Sequence, residues 1–226
     1  MKITYYGHSC FGIELSNSKI VFDPFIRPNE LADEINLQQI KADYIVVSHA
    51  HMDHTADLIE LAKLTGAKVI SNFEIIEWTK NQGIENVHPM NTGGQFSFDF
   101  GELKAVFAAH SSSFADGSYG GNPNGYIIRS AGKTLYYAGD TALSSDMKLI
   151  GDLENLDVAI LPIGDNFTMG ISDAIIASDF IQCNEIIGMH YDTFPPIKID
   201  HKKAIQAFKD KDKRLRLLSI GETIAI

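Results

Sequence analysis

The feature that most restricts this chain is a junction. The unbroken apolar run Tyr44-Ile45-Val46-Val47 is followed, after one serine, by His49-Ala50-His51-Met52-Asp53-His54 and then by an amphipathic segment. A continuous, largely β-branched run suits a strand covered on both faces, as in sheets flanked by helices. Leu58, Leu61, Ala62 and Leu64 can share one side of a helix that Gly66 closes in a left-handed cap. The order is strand, polar loop, helix, with three imidazoles and a carboxylate at the strand exit, where open α/β sheets collect their sites.

Imidazole and carboxylate are the usual nitrogen and oxygen ligands of zinc-like ions. While the backbone is still extended, His49 and His51 project to the same side; as it turns into the helix, Asp53 and His54 point elsewhere. One loop can therefore feed two neighbouring metal positions. A solvated loop would also tolerate histidines, but it gives no reason to concentrate them where a buried strand ends. Two coordination spheres need more donors, and candidates stand at other strand ends: His110 after Ala108-Ala109, Asp140 in Gly139-Asp140-Thr141, and His190 in Gly188-Met189-His190-Tyr191-Asp192. Each alone would pass as a structural or surface residue, Asp140 as a cap on a following helix. Their force is joint. Neutral histidine and ionised aspartate are the forms a metal selects.

Around these residues the pattern predicts a bent strand pair over 2–15, and strands over 19–22, 68–71, 96–100, 103–109, 126–129, 134–137, 158–161, 186–187 and 215–218. Helices are expected over 74–80, 142–150, 172–181 and 201–208. Phe96, Phe98 and Phe100 alternate with polar residues and read as core, and the glycine-rich stretch 111–125 reads as a site loop. His88 is expected in a loop, His201 at the surface, and Asp192 behind His190. Strand-rich first half and strand-helix second half, without a low-complexity linker, fit one domain over 1–226 with two sheets sandwiched by helices.

The 226 residues are 45% hydrophobic, enough for a substantial core, and 19 Lys plus Arg against 29 Asp plus Glu give a net charge of -10. That sign argues against a nucleic-acid partner. Cys10 and Cys183 show no Cys-x-x-Cys spacing, so neither a disulfide framework nor a zinc ribbon is expected. No signal-peptide core opens the chain and no apolar run approaches about 18 residues. A cytoplasmic protein acting on a small molecule, away from membranes, is the expectation; self-association is left open.

The series His49, His51, Asp53, His54, then His110, Asp140 and His190, resembles the metal-ligand series of the metallo-β-lactamase superfamily along nearly the whole chain. Tyr6-Gly7-His8-Ser9-Cys10-Phe11 and Gly139-Asp140-Thr141 look like its branch of uncharacterised metal-dependent hydrolases related to L-ascorbate-6-phosphate lactonase. The resemblance implies an α+β fold, a four-layer αββα sandwich of two mixed sheets. It also implies a two-metal hydrolase site, one ion on His49, His51 and His110, the other on Asp53, His54 and His190, Asp140 bridging. Zinc is the first expectation, with manganese, iron or nickel able to use the same donors.

A water or hydroxide between the ions would attack an ester, lactone, thioester or phosphodiester, aimed by Asp53 as a catalytic residue. His8 is a second candidate catalytic residue; Ser111, Asn166 and Thr168 are candidate substrate contacts. Asp140 stands where antibiotic-hydrolysing members commonly carry cysteine, which argues against β-lactams. A di-iron redox protein and a non-catalytic metal-binding protein are the alternatives.

Overall fold

The computed structural model describes residues 1–15 and 17–226. In the first half run β1 (Lys2–Gly7), β2 (Cys10–Glu14), β3 (Lys19–Phe22), β4 (Tyr44–Val46), α1 (Met52–Thr55), α2 (Leu58–Thr65), β5 (Lys68–Ser71), α3 (Phe73–Asn81) and β6 (Val87–Pro89). The second half adds β7 (Gln95–Phe98), β8 (Gly101–Phe107), β9 (Asn124–Ser130), β10 (Lys133–Tyr137), α4 (Met147–Leu153), β11 (Val158–Pro162), α5 (Ile171–Phe180), β12 (Glu185–Met189), α6 (His201–Lys209), β13 (Arg214–Arg216) and β14 (Thr223–Ala225).

Among the described residues the strands form two seven-stranded sheets, in the orders β14-β1-β2-β3-β4-β5-β6 and β13-β12-β11-β10-β9-β8-β7. Side-chain alternation decides what each face covers. Ile20, Phe22, Tyr44, Val46 and Ile70 point into the core shared with the second sheet, while Val21, Ile45, Val47 and Val69 pack with Leu58, Leu61, Ile75 and Ile76 of α2 and α3. Helices α5 and α6 cover the second sheet, against β11 and β13. The result is the expected αββα sandwich, and the apolar run ending in Val47 is buried on both faces because helix lies on one side and sheet on the other.

One order of pairings occurs twice. Strands β1, β2 and β3 pair antiparallel and β3 to β6 parallel. Likewise β8, β9 and β10 pair antiparallel and β10 to β13 parallel. The residues themselves do not repeat, so this regularity is absent from the sequence reading.

Several expected elements are shifted. The helix expected over 142–150 begins only at Met147, because Ala142 N–H donates to Ala109 O and Thr141 O accepts from Met169, which pins the chain to neighbouring loops before it can wind. His88 lies in edge strand β6 rather than a loop. Phe100 is buried beyond β7, but Phe96 on that edge strand is 48% exposed, its ring against His88 and Phe98, so it is not core. Gly66 does close α2 in the left-handed region, with φ 71°. None of the described helices is long and apolar enough to cross a membrane.

Candidate metal centre

The site is assembled from strand exits. Asp23 follows β3, the His49 to His54 segment follows β4, Asp140 lies just beyond β10 and His190 follows β12, all carried by strands that run parallel in their sheets. The β1–β2 turn presents His8 and the segment after β8 presents His110. His8 and His190 both adopt left-handed backbone, φ 55° and 56°, and are joined by the His190 N–H donating to His8 O at 3.0 Å. Non-glycine residues hold such conformations where surrounding contacts over-determine them.

Three donor groups have ligand-type atoms within 4.8 Å of one another: Asp23, His49 and His54 at the back of the site, and two that carry the expected ligands, His49, His51 and His110, and His8, Asp53, His54 and His190. Asp140 stands between the latter two. Its Oδ2 is 3.0 Å from His190 Nε2, 3.4 Å from His54 Nε2 and 3.6 Å from His110 Nε2. All seven side chains expected as ligands therefore converge.

Asp23, which the sequence reading passed over, holds both groups in place. Its buried carboxylate accepts from Ser48 N at 2.7 Å, Ser48 Oγ at 2.6 Å, Tyr137 Oη at 2.6 Å and His54 Nδ1 at 2.7 Å. The single Ser48 hydroxyl proton goes to Asp23, so the contact at 2.9 Å is the His49 Nδ1–H donating to Ser48 Oγ. Both imidazoles thus turn Nε2 toward the cluster, the back-side fixation that metal-ligating histidines require. The signal was available: Asp23 in Phe22-Asp23-Pro24 ends a buried strand just as Asp140 nearly does.

Electrostatics divide the groups. Burial pushes His49 well below the ordinary imidazole value, and also lowers His51 and His110, leaving all three in the neutral, ligating form. Burial likewise opposes charge on His54 and His190, but the neighbouring carboxylates, Asp140 foremost, outweigh it. They hold His54 well above its ordinary value and bring His190 up to about 9. Burial works against the ionised forms of Asp140 and Asp53 too, yet the facing imidazoles keep both below the carboxylate range. Positive charge is what these two aspartates demand.

The donor set fits metal on a further observation. His54 Nε2 and Asp140 Oδ1 are buried without a hydrogen-bond partner, although Asp140 and His54 face each other. Buried polar atoms left so are costly unless a ligand satisfies them. His190 Nδ1 is also buried and unpartnered.

A cavity of about 580 Å³ opens over the cluster, lined in part by His51, Asp53, His110, Asp140 and His190, and by Ser111 and Asn166. Thr168, expected beside them, does not line it; its hydroxyl turns back to donate to Met169 O. Nor does His8 line the cavity. Burial lowers it to about 4, and as a neutral ring it donates Nε2–H to Asp53 Oδ2 at 3.0 Å while Nδ1 lies 2.9 Å from Thr193 Oγ1. It supports Asp53 from behind instead of meeting substrate. Asp192 does not orient His190: both residues have positive φ, and the Asp192 carboxylate accepts from Ile199 N and from the His201 ring.

Gly164 packs on this loop so closely that an added Cβ would stand 2.0 Å from His190 O. Gly164→Ala is expected to cost about 1–3 kcal/mol in a denaturant titration. It should lower retention of added divalent metal as well, because the backbone that must yield carries His190.

Residues 2–190 match the family model described as the β-lactamase superfamily domain. A protein of Christiangramia forsetii called UPF0173 metal-dependent hydrolase is 54% identical over the full length of both chains. One of the same name from Methylacidiphilum infernorum is 51% identical, again over both full lengths. Among solved structures, Igni18, a metallo hydrolase from Ignicoccus hospitalis, superposes with a TM-score of 0.89 at 36% identity, covering 99% of this chain and 97% of its own. With the fold and the converging donors, these matches place the chain in the metallo-β-lactamase superfamily, among the UPF0173 metal-dependent hydrolases.

Proposed function

We propose that the chain is a binuclear metal-dependent hydrolase of small molecules carrying an ester, lactone, thioester or phosphodiester bond. His49, His51 and His110 would hold one divalent cation and Asp53, His54 and His190 the other, with Asp140 shared and zinc the first choice over manganese, iron or nickel. The observation that carries this reading is the position of Asp140 Oδ2, within 3.0 to 3.6 Å of histidines from both groups. When bound, such ions would lower the pKa of a coordinated water toward about 7 and polarise the substrate oxygen.

The chain's own residues do the rest. Asp53, on the cavity wall with its side chain 21% exposed, can accept a hydrogen bond from the attacking water and aim it. His8, tied to Thr193, keeps that carboxylate turned toward the cluster. Ser111 and Asn166 offer neutral hydrogen-bonding groups at the rim. A protein nucleophile is not required.

Metal analysis of the purified, zinc-reconstituted protein, coupled to a panel of lactones, thioesters, esters and phosphodiesters, tests the reading. Two ions per chain and turnover of a panel member are expected; tight binding of metal with no turnover anywhere on the panel would count against catalysis. His54→Ala is expected to weaken one zinc about 10² to 10³-fold while sparing the other, read by competition with a chromophoric chelator. Equal loss from both would contradict the division of donors.

A further inference from the structure

Apart from the donor side chains, the cavity wall consists of Met52, Ser111, Asn166, Phe167, Phe194 and Pro196. Four of these are apolar, two are neutral and polar, and among the described lining residues none is lysine or arginine. The ions of the hydrolase reading would face the scissile group, whereas recognition of a phosphate or carboxylate elsewhere on a substrate normally recruits such a side chain. The chain's net charge of -10 adds a field that disfavours approach of anions.

The apolar wall is built from three segments, each tied to the donor cluster. Met52 sits between His51 and Asp53 in sequence, and Phe194 follows His190 by four residues. The Phe194 ring packs edge-on against His8 at 5.4 Å. Phe167 tips a loop closed by the Gly164–Gly170 bridge and by Asp165 N–H donating to Met169 O. Two successive residues before it, Asp165 and Asn166, take φ 64° and 58°. Strained backbone of this kind is held in place by its surroundings and gathers at functional sites. The loop leaves Phe167 53% exposed and Met52 is 50% exposed, both at the cavity. Large apolar side chains held at a cavity in this way favour an apolar ligand group.

We propose that the substrate is an uncharged ester or thioester whose apolar group lies against Met52, Phe167 and Phe194, and that phosphorylated or otherwise anionic substrates are disfavoured. The proposal rests on the hydrolase reading above. In the reaction one water is consumed: its oxygen bonds the carbonyl carbon, the carbon–oxygen or carbon–sulfur bond breaks, and the released alcohol or thiol takes a proton, with no change of oxidation state.

The test uses the full zinc-reconstituted chain with p-nitrophenyl butyrate and bis(p-nitrophenyl) phosphate, which share a leaving group, and with butyranilide as an uncleaved neutral probe. The butyrate ester is expected to show at least tenfold higher kcat/KM than the phosphodiester. Phe167→Ala should raise KM for the ester about tenfold with a smaller change in kcat, and weaken butyranilide binding by a similar factor. Preference for the phosphodiester, or an unchanged KM and butyranilide affinity in Phe167→Ala, would overturn the proposal while leaving the hydrolase reading intact. If neither chromogenic substrate is cleaved, the hydrolase reading fails on this pair, and butyranilide binding by wild type against Phe167→Ala still decides the character of the wall.

Discussion

In the zinc-reconstituted protein, for which the proposed function expects two ions per chain, Asp140→Ala is expected to leave one or fewer and to lower kcat/KM on the order of 10³-fold, as loss of a central electrostatic stabiliser does. The reason lies in the geometry: one carboxylate faces His54, His110 and His190, histidines drawn from both donor groups. Removing it also leaves two buried imidazoles without the first of their counter-charges. They can shed protons to compensate, so the fold is expected to survive with altered stability. Metal content by mass spectrometry, a thermal melt and hydrolysis kinetics on one preparation check this together. Two ions retained at wild-type affinity would remove Asp140 from its shared position.

Asp23→Ala is expected to do comparable damage from behind the cluster. The Ser48 amide, the Ser48 and Tyr137 hydroxyls and the His54 Nδ1–H all lose their acceptor inside the protein. Breaking a buried pair in this way costs about 3–5 kcal/mol, and at about 2–4 °C per kcal/mol for a chain of this size the melting temperature should fall roughly 6–20 °C. Asp23→Asn keeps the volume and one acceptor, and should separate stability from positioning. Its zinc affinity is expected to fall about 10 to 100-fold, with loss from both donor groups because Asp23 orients His54 directly and His49 through Ser48. Wild-type affinity in a folded Asp23→Asn protein would show that neither ring depends on it.

Much of the site was legible in the residues because its chemistry is local in sequence. Three histidines and an aspartate in six positions have few uses, and the strand before them is identifiable by its unbroken apolar run. His110, Asp140 and His190 were legible only as a set, since each follows a strand and completes a donor count. Asp23 escaped because a lone aspartate before a proline reads first as a turn residue. Asp192 misled for the opposite reason: adjacency to His190 implied contact, whereas left-handed backbone at both residues turns its carboxylate to His201. Edge strands β6 and β14 have three residues each, too few to display a period, and β6 includes a proline that cannot donate to a ladder. The apolar cavity wall was invisible because Met52, Phe167 and Phe194 come to line one cavity only after three separate segments fold around the cluster.

The recurrent pairing order has a mechanical consequence. It places Asp23 after β3 and Asp140 after β10, at corresponding exits of the two sheets, and the His54 ring is gripped between them, one carboxylate toward each nitrogen. An ion seated among donors drawn from both sheets would act as a rivet through the seam, bridging stretches of chain whose closure carries a large entropic cost. Withdrawing that rivet would loosen the strand exits it joins on both sheets at once, while the apolar core the sheets share keeps them packed.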